Sequence, residues 1–285
     1  MIQTIASNRR FSFLLLILSG LALMSSCSTE RKLANDFLKH TDSLSVMIIE
    51  PDFLFKTNLK TYAVKGFDNL SAEAQQQIQY DSSLFLQQIN DSILIRNYIT
   101  SLIETLKRYG VKTMNQQQLP DFMNAHGRAW QVTLVQLELE ESLMPYRAQE
   151  VFDDSVLYFE DFELQKASLN SWFEIVKMNH QQESSEVLYA SHYFTDELDG
   201  RFADNIFTGD VTFRYNLTPL AVDDIYLLPS EAGAAYAGYI FDYLMNEYIL
   251  QNLPPTQTLR SWLHYDRDSN TLYPAGDQRF IFLDE

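Results

Sequence analysis

The stretch LSVMII, residues 44–49, is a nearly continuous apolar run in an otherwise mixed amino-terminal region. Apolar residues without alternation are typical of a strand that is buried on both faces. Pro51 follows the run and ends it, because proline cannot donate a hydrogen bond to a strand ladder. The sequence therefore predicts a buried strand as the first folded element.

The segments after this strand predict a helix, a short strand and a short helix. Between residues 90 and 109, apolar side chains recur at intervals of three and four, and Gly110 follows where a helix C-cap belongs. Residues 111–114 have the composition of a short strand, and a short helix opens at Pro120. The pattern is one of alternating helices and strands.

A long strand is predicted in AWQVTLVQLELE, residues 129–140. Apolar side chains alternate on one phase up to Leu134 and continue on the other phase from Leu137. Because the side-chain period of a strand is two, a change of phase requires an extra residue. The sequence predicts a β-bulge near Val135 and Gln136.

The second half of the chain predicts an antiparallel meander and a late helix. The helix is expected over Glu231–Gln251, with Ser230 as its N-cap and small residues in its first turns that permit a close approach to a neighbour. The meander strands are expected at about 156–164, 170–178, 185–194 and 207–217. The predicted fold class is α+β: an α/β amino-terminal half of buried strand, long helix and strand, continuing into an antiparallel meander, with the late helix packed on the sheet.

The amino terminus has the pattern of a secretory signal. Arg9 and Arg10 precede an apolar run over residues 11–23, which is too short to span a bilayer. The sequence Met24-Ser25-Ser26-Cys27 follows and resembles the lipobox of bacterial lipoproteins of the Bacteroidota type. The resemblance implies cleavage before Cys27 and acylation of its thiol. An ordinary signal peptide with an incidental cysteine is the alternative.

This resemblance implies a domain organisation and a location. Residues 1–26 are expected to be a lipoprotein signal peptide, 27–43 a tether, and 44–285 a single globular α+β domain. The covalent lipid on Cys27 is the only cofactor expected, and it attaches the protein to a membrane. Ser28 is not the Asp of inner-membrane retention signals, which favours the outer membrane. The bases Arg31 and Lys32 depart from surface-export signals and favour the periplasmic face over the cell surface.

The element order over residues 44–217 resembles the α/β domain shared by the Tol-system translocation protein and the curli-secretion lipoprotein. The resemblance implies an assembly or scaffolding role and an envelope protein as partner. Fold alone does not define function.

Charge and motifs limit the other classes of function. The chain has a net charge of −17, which argues against nucleic acid as a partner, since nucleic acids bind through Lys and Arg. The nine glycines form no dinucleotide-binding fingerprint, phosphate-binding loop or nucleophile elbow, and the five histidines have no close metal-ligand spacing. Adjacent acids at Glu140-Glu141, Asp153-Asp154 and Asp223-Asp224 are expected in solvated loops or helix caps. We predict a protein that is not an enzyme.

One segment matches part of a calcium-binding template. Asp266, Asp268, Asn270 and Asp277 occupy positions 1, 3, 5 and 12 of a calcium loop. However, Thr271 stands where the sharp turn requires Gly. The flanking residues alternate like hairpin strands, so a hairpin turn is the preferred interpretation and a calcium loop the alternative.

Two classes of function remain. The first is a non-enzymatic, lipid-anchored envelope lipoprotein that acts as an assembly or scaffold component at the outer membrane. The second is a surface lipoprotein that binds or processes glycans, for which the 13% aromatic content is the indication. Stacking on sugars needs exposed rings, so the burial of Trp130, Trp172 and Trp262 distinguishes the two.

We predict that Cys27→Ser abolishes acylation and releases the protein from membranes. Each methylene of a bound acyl chain contributes about 0.8 kcal/mol, and Cys27 is the only cysteine in the chain. Metabolic labelling with an alkyne fatty acid, followed by membrane fractionation, measures both effects. A wild-type protein that takes up no label contradicts the lipoprotein interpretation.

Overall fold

A computed structural model describes residues 29–63, 65–123, 128–178, 187–276 and 279–283. The predicted signal peptide, residues 1–26, and the predicted lipidation site Cys27 lie outside the described residues. None of the helices within the described ranges is long and apolar enough to cross a bilayer.

Five helices and eleven strands form the structure of these residues. The helices are α1 (residues 29–39), α2 (Ala72–Asp81), α3 (Asp91–Arg108), α4 (Leu119–Met123) and α5 (Val222–Asn252). The strands are β1 (Leu44–Ile49), β2 (Phe55–Asn58), β3 (Lys112–Met114), β4 (Arg128–Phe152), β5 (Ser155–Lys177), β6 (Val187–Thr195), β7 (Glu197–Asp204), β8 (Val211–Thr218), β9 (Leu263–Asp266), β10 (Thr271–Pro274) and β11 (Ile281–Leu283). Short 3₁₀ turns connect several of them.

Seven strands form one mixed sheet in the order β11-β6-β5-β4-β1-β3, and β2 pairs with β4 further along that strand. Strand β1 runs parallel to both β3 and β4, and β2 is also parallel to β4. The pairs β4–β5, β5–β6 and β6–β11 are antiparallel. Parallel pairing at one end and antiparallel pairing at the other, with α5 packed on the sheet, confirm the α+β prediction.

Strand β1 is buried on both faces, as the LSVMII stretch predicts. Leu44, Val46 and Ile48 belong to the main core that α3 and α5 cover. Met47 points to the opposite face and packs in a second cluster with Phe122 of α4. Helices on both faces therefore explain why the strand lacks alternation.

Helix α3 is capped at both ends, and the sequence predicts the cap at Gly110. The side-chain oxygen of Asn90 accepts a hydrogen bond from the backbone N–H of Ile93 at 3.1 Å. At the other end, Gly110 has a φ of +85°, a left-handed conformation that glycine adopts without steric cost. Ser71 caps α2 in the same way as Asn90 caps α3.

The predicted β-bulge is confirmed. Leu134 pairs with Phe173 and Gln136 with Trp172, so Val135 is the extra residue between them. Its side chain is exposed. The bulge returns apolar residues after Leu134 to the core face, which accounts for the change of phase.

The tether predicted over residues 27–43 is wrong where the structure describes it. Residues 29–39 form α1, whose Ala34 and Phe37 are fully buried. The Phe37 ring packs against Phe241 of α5 with centroids 5.5 Å apart, and the Tyr248 hydroxyl donates a hydrogen bond to Asp36 at 2.6 Å. The polar composition of α1 gives a helix that depends on tertiary contacts.

Helix α5 begins nine residues before the predicted start at Glu231. Its N-terminus lies at Val222, and the predicted N-cap Ser230 is inside the helix, where its carbonyl accepts a hydrogen bond from Ser101 of α3 at 2.6 Å. Pro229 is the reason for the error. Proline usually marks a helix boundary, whereas here it is buried within the helix.

Two of the predicted meander strands are one strand. Residues 156–164 and 170–178 both fall in β5, which continues through the polar residues between them. Strand β4 likewise extends beyond residue 140 to Phe152. The two strands pair over their whole length.

The small residues of α5 permit a close approach to α3, as the sequence predicts. A Cβ atom on Gly233 would lie 2.4 Å from the backbone carbonyl oxygen of Tyr98 and 3.1 Å from the backbone nitrogen of Leu102. The backbones of the two helices therefore meet at Gly233. The Tyr98 side chain is fully buried beside them.

We predict that Gly233→Ala lowers the free energy of unfolding by about 1–3 kcal/mol, because the added methyl group overlaps with backbone atoms that cannot rotate away. Gly238→Ala is the matched control in the same helix. A Cβ atom on Gly238 would lie 3.4 Å from the Tyr109 hydroxyl, which is an ordinary contact. Because Ala has a higher helix propensity than Gly, we expect the free energy of unfolding to stay unchanged or to rise by up to about 1 kcal/mol. Urea denaturation measures both, and equal effects of the two substitutions contradict the close contact.

Candidate functional site

The segment that matches part of the calcium template forms a hairpin turn between β9 and β10, which pair antiparallel. The Asp266 carboxylate accepts hydrogen bonds from the backbone N–H of Asp268 at 2.9 Å and the Ser269 hydroxyl at 2.7 Å. Asn270 adopts a left-handed φ of 51°, and its side chain accepts a hydrogen bond from the Tyr265 hydroxyl at 2.9 Å. These oxygen atoms shape the turn, in agreement with the preferred interpretation.

Asp277, the fourth member of the calcium template, lies outside the described residues. Within the part of the chain that the structure describes, no group of three or more His, Cys, Asp or Glu side chains is arranged to hold a metal ion.

Two of the adjacent acid pairs contribute to structure. Glu141 is buried, forms an ion pair with Lys60, and accepts hydrogen bonds from the Ser83 hydroxyl at 2.6 Å and the Leu84 N–H at 2.9 Å. Asp224 accepts a hydrogen bond from the Ala221 N–H at 2.8 Å and so satisfies the N-terminus of α5. Their carboxylates fix loops to elements of the fold.

A buried polar cluster links α5 to the carboxy-terminal hairpin. The Asp242 carboxylate lies 2.9 Å from Nδ1 of His264 and accepts the backbone N–H of Tyr265 at 3.0 Å. Arg279 donates from Nε to Nε2 of His264 at 3.1 Å. Burial raises the pKa of Asp242, and the hydrogen bond from His264 opposes this effect.

The hydrogen bonds of this cluster indicate which ring nitrogen of His264 is the donor. A ring nitrogen that accepts from Arg279 carries no proton, so the proton lies on Nδ1 and is donated to Asp242. Both ring nitrogens are engaged with other parts of the fold. The cluster therefore acts as a clamp that holds β9 and the segment before β11 against α5.

Strands β4 and β5 extend beyond the sheet as a two-stranded ribbon. The pairing of β2 with β4 ends at Glu141, and the pairing of β6 with β5 begins at Lys166. From residues 145 to 163, the two strands pair with each other alone among the described strands. Eight residues of each strand project about 27 Å from the sheet at the usual rise per residue.

A second hairpin, β7–β8, covers one face of this ribbon. The Phe162 ring packs against Phe213 and Tyr215 with centroid separations of 5.5 and 5.1 Å, and Tyr158 packs against Phe202 at 5.9 Å. We call residues 145–163 together with 197–218 the arm. Its two layers share a small aromatic core of their own.

Two features fix the hairpin on the ribbon. Gly200 leaves room for the Phe213 ring, since a Cβ atom there would lie 2.5 Å from the ring. At the base, the buried Asp196 carboxylate accepts backbone hydrogen bonds from Gln165 at 2.7 Å and Leu220 at 2.8 Å. Asp196 thereby attaches both ends of the hairpin to β5.

The two hairpin turns lie at the same end of the arm. Asp153 and Asp154 form a two-residue turn with φ values of 47° and 60°, which matches the type I′ geometry of β-hairpins. The turn of β7–β8 spans residues 205–210. We call residues 148–160 and 203–211, which surround these turns, the tip.

Large apolar side chains are exposed at the tip. Phe152, Ile206 and Phe207 have exposed fractions of 72%, 93% and 98%. The Asn205 side chain accepts the Phe207 N–H at 3.0 Å, and the Asn205 carbonyl accepts the Gly209 N–H at 2.7 Å, so these two hydrogen bonds define the turn that carries Ile206 and Phe207. Further exposed apolar residues at the tip are Val151, Val156, Leu157, Tyr158 and Phe159. Exposed apolar side chains grouped in this way mark interaction sites.

The sequence interpretation missed the arm. Its turn, Asp153-Asp154, lacks the Asn-Gly or Asp-Gly pair that usually indicates a type I′ hairpin. The usable signal was weaker: aromatic and polar residues alternate on both sides of two adjacent aspartates, which tolerate left-handed backbone.

No protein-family model and no curated protein matches this chain. Among solved structures, the chain is similar to a homologue of the neuraminyllactose-binding hemagglutinin from Helicobacter pylori. The two share 10% sequence identity over 73% of this chain and 90% of that one, with a TM-score of 0.31.

We predict that Asp242 makes the folded state less stable as the pH rises. Because its pKa is raised on folding, the stabilising contribution of the protonated carboxyl is complete below the unfolded pKa and is lost as the pH rises through the folded pKa. The melting temperature of the wild type should therefore fall relative to that of Asp242→Asn as the pH rises above about 4, the unfolded pKa of Asp.

Asp161 is the control with the opposite sign. Its hydrogen bonds from Arg147 lower its pKa, so its contribution to stability is present above the unfolded pKa and is lost as the pH falls below about 4. The wild type should lose stability relative to Asp161→Asn on acidification. Parallel pH profiles of the wild type and Asp242→Asn count against the buried-acid prediction.

Proposed function

We propose that this chain is a non-enzymatic lipoprotein of the outer membrane, anchored through a lipid on Cys27, and that it acts as an assembly or scaffold component. In this proposal it faces the periplasm and docks an envelope protein through the arm. The observation that carries the proposal is the tip, where the side chains of Phe152, Ile206 and Phe207 are exposed at the end of a two-layer projection.

The start of the described fold lies close to the proposed anchor. Helix α1 is described from Thr29, which is two residues after Cys27. A chain segment of two residues spans at most about 7 Å. A lipid on Cys27 would therefore keep the folded body at the membrane surface. The arm then becomes the part of the protein that reaches furthest from its own core.

The tryptophans support a docking role over glycan binding. Trp130 is buried, and Trp172 and Trp262 are half-buried. The Trp172 ring packs on Tyr189 at 5.0 Å, and the Trp262 ring lies 6.3 Å from Phe282. These three rings are engaged within the fold, whereas six exposed Phe and Tyr rings of the described residues lie on the arm.

Site-directed photocrosslinking tests this proposal. A photoreactive phenylalanine derivative at Phe207, in the full chain expressed in its own membranes, should give a crosslink to a protein. The control is the same derivative at Met123, whose side chain is 61% exposed. Met123 lies on α4, which is not part of the arm. Equal products from both positions, or none from Phe207, contradict docking through the arm.

A further inference from the structure

The tip is acidic as well as apolar. Residues 148–160 and 203–211 contain six acids and neither Lys nor Arg. The six are Glu150, Asp153, Asp154, Glu160, Asp204 and Asp210. The basic side chains of the arm, such as Arg147 and Arg201, begin only outside these segments.

We infer that the tip binds a basic protein surface that contains an apolar groove. This inference rests on the proposed docking function and specifies the partner. The apolar side chains of Phe152, Ile206 and Phe207 would enter the groove, and the surrounding carboxylates would meet Lys and Arg side chains at its rim. Complementary charge at a rim steers encounter and selects the partner, while apolar anchors at the centre supply most of the affinity.

Two other occupants fit the charges less well. Anionic lipid surfaces attract Lys and Arg and repel carboxylates, and Asp153 and Asp154 next to Phe152 would have to enter the headgroup region with it. A second copy of this chain that met the first tip to tip would place six acids opposite six acids, and the net charge of −17 disfavours its other surfaces. Like charges facing each other at an interface act against association.

Neutralising the charge at the turn tests the inference without changing its backbone. In Asp153→Asn/Asp154→Asn, the left-handed φ values of 47° and 60° suit Asn at least as well as Asp. With the photoreactive derivative at Phe207 in the full chain, we expect the yield of the protein crosslink to fall by about threefold or more, and the remaining yield to depend less on salt.

Asp52→Asn/Asp121→Asn is the matched control, because it removes the same charge from exposed positions outside the arm. Its crosslink yield should equal that of the unaltered tip. Digestion and mass spectrometry of the product should place the crosslink in a segment of the partner that is rich in Lys and Arg.

Each other outcome overturns the inference in a distinguishable way. A lipid adduct at Phe207, or binding of the full chain to phosphatidylglycerol vesicles that depends on Phe207, identifies a membrane as the occupant. A crosslink between two copies identifies self-association. A protein crosslink whose yield is the same after neutralisation leaves docking through the arm intact and removes the requirement for a basic partner.

Discussion

The continuity of strand β4 is the constraint on which the rest of the structure depends. Its first residues pair in parallel with β1, its middle pairs with β2, and the strand pairs with β5 from Trp130 to Phe152. One strand is thus part of the central sheet and of the arm. Side chains in a strand alternate with a period of two. The bulge at Val135 is therefore needed to keep the apolar residues before it and those after it on the same core face of the sheet.

The body of the fold is held by a few buried contacts that local sequence does not specify. Helix α5 approaches α3 through Gly233, and its Asp242 carboxylate binds His264 of β9. Glu141 performs an equivalent role for the loop before α3. Each buried carboxylate has several donors around it, as burial of a charged group requires. The body can therefore be rigid without disulfides.

The predictable elements are those whose local signals agree with their tertiary environment. The buried strand β1, the capped helix α3 and the bulge in β4 each follow from periodicity and capping residues within a short window. The wrong predictions concern segments where the local sequence and the tertiary contacts favour different structures. Pro229 is tolerated inside α5 because packing outweighs its cost, and α1 is helical because Phe37 finds a place against α5. The tip, which is the candidate site, depends on the hairpin turn at Asp153-Asp154. Residue propensities do not predict this turn, because it lacks the Asn-Gly or Asp-Gly pair of a usual type I′ turn.

The arm has a mechanical consequence. The hydrogen bonds that join β4 and β5 to β1, β2 and β6 run across the strands, so a pull on the turn along the strand direction loads these rows of bonds in shear. Such a row yields together, not one bond at a time as in peeling. Asp196 adds a crosslink between the two layers at the base. Tension or thrust applied at the far end would thus pass along the two strands to the central sheet.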